Sequence, residues 1–160
     1  MYKVGIVGAG FIGRRRAEIA QAHPETAVVL VYDVQPQVAA ELAADCGAQV
    51  AASWGELAAA ELDIVVVATT HDALAEISTA ALSAGKHVLC QARMGLNLSH
   101  AQDMLAASRK HNLVTALYPP LPGLKGDRTM LRLLHEEGFV GDIREVRVTG
   151  MMSTPESDSY

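Results

Sequence analysis

Apolar and polar positions alternate along the chain in blocks of two kinds. Short apolar runs occur at Val4-Ile6-Val7, Ala27 to Tyr32, Gln49 to Ala52, Leu62 to Ala68, His87 to Cys90 and Leu113 to Leu117. Each is short enough for a strand, and Leu62 to Ala68 is so rich in β-branched residues that it reads as buried on both faces of a parallel sheet. Between them lie alanine-rich stretches with helical spacing. The first runs from Arg14 to Ala22. A second starts at Pro36 and stops near Cys46-Gly47, with proline and glycine at the ends that suit them. Further helices are expected over Trp54 to Ala60, from Leu74 through Leu82 to Gly85, and from His100 to His111 with Ser99 as N-cap. Strands alternating with helices over short loops predict a doubly wound α/β fold, a Rossmann fold, with ligands at the carboxyl ends of the strands.

The proline cluster Tyr118-Pro119-Pro120-Leu121-Pro122-Gly123 breaks this alternation. Consecutive prolines exclude helix and central strand, so the Rossmann domain is assigned to residues 1–120. Residues 121–160 are expected to hold a linker, a helix over Asp127 to Glu137, and a strand from Ile143 to Val148 with no visible partners. That is only the start of a second α/β domain.

The first strand ends in Gly8-Ala9-Gly10-Phe11-Ile12-Gly13, a G-x-G-x-x-G, and the second ends in Asp33, twenty residues after Gly13. Strand, glycines, helix, strand and terminal acid in this order form the dinucleotide-binding fingerprint. Gly8 allows the tight turn, Gly10 lets a pyrophosphate approach the backbone, and Gly13 lets the helix lie close to the strand. The amides that open the helix, around Phe11 and Ile12, would face the diphosphate. Asp33 can accept both hydroxyls of the adenosine ribose and would repel a 2′-phosphate, which favours NAD over NADP. S-adenosylmethionine fits less well, because the third glycine and the diphosphate go together. Of Arg14, Arg15 and Arg16, set against the positive end of the helix dipole, two are expected to point into water and one to meet an anion.

Composition narrows the setting. The formal net charge of −5 argues against nucleic-acid or anionic-membrane partners. No apolar run approaches the ~20 residues of a bilayer span. The N-terminus enters a strand with no signal-peptide pattern, and Cys46 and Cys90 lack metal-ligand spacing, so the expected setting is the reducing cytoplasm with no metal site.

Beyond these readings, GIVGAGFIGRRRAEIA, the Thr69-Thr70-His71 turn, AALSAGKHVLC and EEGFVGDIREVRV together resemble the Gfo/Idh/MocA oxidoreductases. The resemblance implies an N-terminal cofactor domain and a C-terminal domain carrying much of the substrate site and usually the oligomer interface. It also implies a sugar, inositol or related polyol as substrate. It adds Thr69, Thr70, His71 and Gln91 to the cofactor-binding candidates Gly8, Gly10, Phe11, Ile12, Gly13 and Asp33. In the family the strand holding AGKHVLC runs on into Glu-Lys-Pro, whose lysine assists proton transfer; here those positions read Gln91-Ala92-Arg93. Alanine has no titratable group, and arginine is too basic to cycle a proton near neutral pH. No catalytic residue is therefore assigned, and a non-catalytic dinucleotide-binding sensor or partner protein stands as the alternative. Where the family often has a cis proline, a cis bond without proline costs roughly 3 kcal/mol, so the Ala92–Arg93 bond is expected to be trans.

Overall fold

The structure, a computed structural model, describes residues 1–118 and 125–147. Six parallel strands form one sheet in the order β3-β2-β1-β4-β5-β6. They are β1 (Tyr2–Val7), β2 (Thr26–Tyr32), β3 (Gln49–Val50), β4 (Ile64–Val67), β5 (His87–Gln91) and β6 (Thr115–Tyr118). The helices between them are α1 (Phe11–Ala22), α2 (Pro36–Cys46), α3 (Trp54–Ala59), α4 (His71–Ser83) and α5 (Leu98–His111). The doubly wound α/β fold is the one expected.

The apolar run of β4 works as a central strand should. Val65 and Val67 join a core with Leu57, Leu74 and Leu82 from α3 and α4. Val66 faces the other way, into a core with Ala17, Ala39 and Leu42 from α1 and α2. Alternate residues of one strand thus fill two separate cores, which is why the sequence shows a continuous apolar run there. In β1, Val4 and Ile6 serve the α1–α2 core while Val7 serves the other. A Cβ on Gly5 would lie 2.6 Å from Leu62 and 2.9 Å from Leu57, so the missing side chain admits these leucines to the sheet.

The helix ends show local chemistry. Gly47 terminates α2 at φ +66°, and the Ala48 amide donates to the Ala43 carbonyl at 2.8 Å. Ser53 Oγ accepts the Glu56 amide at 3.0 Å to start α3, and Glu56 reaches back to the Ala52 amide at 2.7 Å. At the start of α5 the cap is Asn97, not the expected Ser99. Asn97 is extended and its Oδ1 accepts the His100 amide at 3.0 Å, so the helix begins before Ser99.

The described residues after the proline cluster form a unit of their own. There α6 (Lys125–Leu131) continues as a π-helical turn over Arg132–Glu136, closed by the Glu137 amide on the Arg132 carbonyl at 2.9 Å. The helix expected over Asp127 to Glu137 thus starts earlier and ends in a wider turn. The strand expected over Ile143 to Val148 is not formed through Arg147, and Val148 lies outside the described residues. No strand pairs with this segment among the described residues, and Ile143 and Val146 are exposed. An alternating pattern without a neighbour leaves its amides and carbonyls to water. Pro119 to Gly123, where the sequence sets the domain boundary, also lie outside the described residues.

Candidate functional site

The carboxyl ends of β1, β2 and β4 meet around a cleft of about 400 Å³. Gly8, Gly10, Asp33, Thr69 and Thr70, all candidates from the sequence, line it together, and Trp54 closes part of its wall. Each glycine is required for a different reason. Gly8 has φ +94°, and a Cβ there would lie 2.5 Å from the Ala68 carbonyl oxygen. A Cβ on Gly13 would collide with the Gly8 carbonyl oxygen, so its absence lets α1 sit against the turn. A Cβ on Gly10 would meet nothing within 4 Å. The space above Gly10 is open, as the approach of a diphosphate requires.

The start of α1 is equally bare. Gly10 is its N-cap, no side chain caps it, and no acid lies in its first turn. The amides of Phe11 and Ile12 therefore stand without intrahelical or side-chain partners at the positive end of the helix dipole. Phe11 itself is exposed, while Gly13 is buried.

Asp33 is half-buried and already engaged at both oxygens. Its Oδ2 accepts the Ala9 amide at 2.7 Å and its Oδ1 accepts the Gln35 amide at 2.9 Å. The acid thus braces the glycine turn, a role the sequence reading did not foresee. Since a carboxylate has about four acceptor sites, two remain for ribose hydroxyls.

The remaining candidates are spread along the same sheet edge. Thr69 Oγ1 donates to the Thr70 carbonyl at 3.3 Å, and Thr70 precedes α4 without capping it through its side chain. His71 is the first residue of α4 and is exposed. Beside it, hydrogen bonding from Thr70 draws the Asp72 carboxyl below its usual range. Gln91 ends β5, with its Oε1 buried and unpartnered among the described residues. Two interstrand steps separate it from β1, about 10 Å, so it cannot share the adenosine end with Asp33. Arg93 is exposed. The Ala92–Arg93 peptide bond is cis, against expectation. The expectation weighed only the local cost of a cis bond; in the fold this bond directly follows the end of β5, where the Ala92 amide pairs with the Tyr118 carbonyl at 2.6 Å.

The three arginines of α1 are used differently from one another. Arg14 bonds Glu41 at 2.8 Å and Asp45 at 3.2 Å, tying α1 to α2, so the anions it meets are carboxylates of the chain itself. Arg15 is exposed and pairs with Glu18 one turn on, at 2.9 Å. Arg16 stacks on the ring of Tyr118, with its guanidinium carbon 3.5 Å from the centroid.

Residues 2–118 match the family described as "Oxidoreductase family, NAD-binding Rossmann fold". The chain belongs to the Gfo/Idh/MocA oxidoreductase family. It is 30% identical over 144 residues to an uncharacterized oxidoreductase of Streptococcus pneumoniae, covering 89% of this chain and 38% of that protein. It is 29% identical over 103 residues to inositol 2-dehydrogenase of Rhizobium meliloti, covering 64% of this chain and 31% of the relative. Two solved structures superpose at a TM-score of 0.70 over 72% of this chain. One is GenD2 from gentamicin A biosynthesis in complex with NAD, at 32% identity and 34% of its length. The other is biliverdin reductase from Synechocystis in complex with biliverdin and NADP+, at 28% identity and 37% of its length. This Gfo/Idh/MocA chain thus spans about a third of the length of these proteins. Among its described residues no helix is long and apolar enough to cross a membrane.

Trp54 is the site-edge residue that sequence reasoning missed, whereas Arg16 was foreseen only as one of three adjacent arginines. Trp54 is the chain's one tryptophan, directly after a Ser53 that has glutamate three residues later. That capping pattern places it at a helix start on the ligand edge.

Proposed function

We propose that this chain binds NAD in preference to NADP, as the cofactor domain of an oxidoreductase acting on a sugar, inositol or related polyol. The carrying observation is Asp33 beside the open space over Gly10 in one cleft. Asp33 would hold the adenosine ribose hydroxyls, and the amides of Phe11 and Ile12 would hold the diphosphate. Thr69, Thr70, His71 and Gln91 would border the nicotinamide half. The bound cofactor would supply a hydride acceptor; the chain's own residues bind it, orient it and shield one face. The family resemblance and the inositol 2-dehydrogenase relative support the polyol reading. Ala92 supports the second reading, a non-catalytic dinucleotide-binding protein, since no titratable side chain stands where the family lysine does.

Calorimetric titration of wild type and Asp33→Asn with both cofactors tests the proposal. Wild type should bind NAD at least tenfold more tightly than NADP. Asp33→Asn should lose tenfold or more for NAD, since hydrogen bonds to a charged acceptor are worth ~1.5–3 kcal/mol. Equal wild-type affinities, or an Asp33→Asn chain that still discriminates fully, would refute it.

A further inference from the structure

We infer that Arg16, held over the Tyr118 ring, recognises a carboxylate on the substrate, so that the substrate class is a hydroxy acid of the sugar-acid type. The inference rests on the cofactor reading above and adds a charge to the substrate it names. Its geometry starts from the strand order. Asp33 follows β2 and Tyr118 ends β6, so they lie on opposite sides of β1 along the ligand edge of the sheet. A dinucleotide with its adenosine at Asp33 and its diphosphate over Gly10 directs its other half toward β4 and β5. What lies beyond, at the ends of β5 and β6, is the place for substrate.

Arg16 reaches that place from the far side. It is the sixth residue of α1, about 6 Å along the helix axis from Ile12. Its guanidinium has left the diphosphate end and lies on the β6 ring. The Tyr118 backbone is fixed in turn, because its carbonyl accepts the Ala92 amide at 2.6 Å and it pairs in register with Gln91. Arg16 Nε is buried without a partner, and the side chain makes no ion pair among the described residues, unlike Arg14 and Arg15. Arg16 is only half-buried. A guanidinium stacked on an aromatic face keeps its plane fixed and its terminal N–H groups directed outward. This is the fork that matches a carboxylate, which accepts two parallel hydrogen bonds. A neutral polyol presents no group that needs a fixed cation there. Arg93, exposed two residues after Gln91, brings a second positive charge to the same edge.

An anion at Arg16 has two sources, the substrate or the cofactor's own diphosphate, and the experiment separates them. NAD+ is first titrated calorimetrically into wild type, Arg16→Gln and Arg16→Lys, with circular dichroism confirming that each is folded. Each chain, with and without NAD+, is then titrated with D-gluconate and D-glucitol, which differ at one end as carboxylate and alcohol. Shifts of the Tyr118 ring protons report occupancy, and inorganic phosphate serves as a general-anion control. D-gluconate should act at a concentration at least tenfold below that of D-glucitol or phosphate. Arg16→Gln should abolish that difference, Arg16→Lys should keep part of it, and NAD+ affinity should change less than threefold in both. Equal responses to the two sugars, or to gluconate and phosphate, would overturn the inference. So would a tenfold loss of NAD+ affinity in Arg16→Gln, which would assign the guanidinium to the diphosphate. If wild type binds no NAD+, the cofactor reading fails, while the titrations without cofactor still decide the role of Arg16.

Discussion

Gly10 and Gly13 lie one helical turn apart, and the same added methyl group should do opposite things to them. At Gly10 it meets open space, so Gly10→Ala should melt as wild type does. It should nevertheless bind NAD at least tenfold more weakly, a loss of ~1.4 kcal/mol, because the backbone can no longer be approached. At Gly13 the methyl strikes the Gly8 carbonyl, so Gly13→Ala should lose ~1–3 kcal/mol of stability as well as affinity. Denaturant melts beside calorimetry separate the two outcomes. These glycines were legible in the sequence because a motif is a statement about backbone space. Arg16 was not, because three adjacent arginines look alike until their partners on α2, on α1 itself and on β6 are known. The thiols make a second prediction at this scale. Burial is the main cause that raises both Cys46 and Cys90. The folded chain therefore keeps its thiol protons to higher pH than the unfolded chain. Their contribution to stability is full below the unfolded thiol pKa, ~8.5, and declines as pH rises above it. The melting temperature should fall between pH 8 and pH 10, and by less in the Cys46→Ala, Cys90→Ala double variant. At pH 8 a thiol reagent should modify half-buried Cys46 well before buried Cys90.

At the scale of elements, the caps show how far local chemistry can be read. Pro36 and Gly47 bound α2 as expected, since each has a strong conformational preference. Asn97 and Ser99 are both good N-caps, and composition does not say which one the tertiary structure holds in an extended conformation. It is Asn97, so Asn97→Ala should cost ~1 kcal/mol, whereas Ser99→Ala should change stability by a few tenths at most. Chemical denaturation of the two variants decides this. The segment from Ile143 shows the reverse limit. Its alternation is a preference for a sheet, and a preference becomes a strand only beside another strand.

For the whole molecule, the sheet order puts the proposed cofactor and substrate ends along one edge, which would supply only one wall of a reaction site. Holding a substrate carbon near a nicotinamide can be worth ~7–11 kcal/mol. The chain has Ala92 where the family has a lysine, and spans about a third of its relatives' lengths. We therefore expect this chain alone to bind cofactor and to oxidise no polyol. A screen of polyols and sugar acids with NAD, followed by absorbance of the reduced cofactor, tests this; steady turnover proportional to purified chain would disprove it.

On the proposed NAD reading, the double engagement of Asp33 matters for anyone redesigning this domain to accept NADP. The obvious exchange, Asp33→Ser with a nearby arginine to greet the extra phosphate, removes a repulsive charge. It also unfastens the glycine turn from Ala9 and the following loop from Gln35. A library confined to Asp33 and its immediate neighbours should yield variants that have lost NAD without gaining NADP. A successful switch needs a second change, made elsewhere, that restores acceptors for those two amides before selectivity is altered.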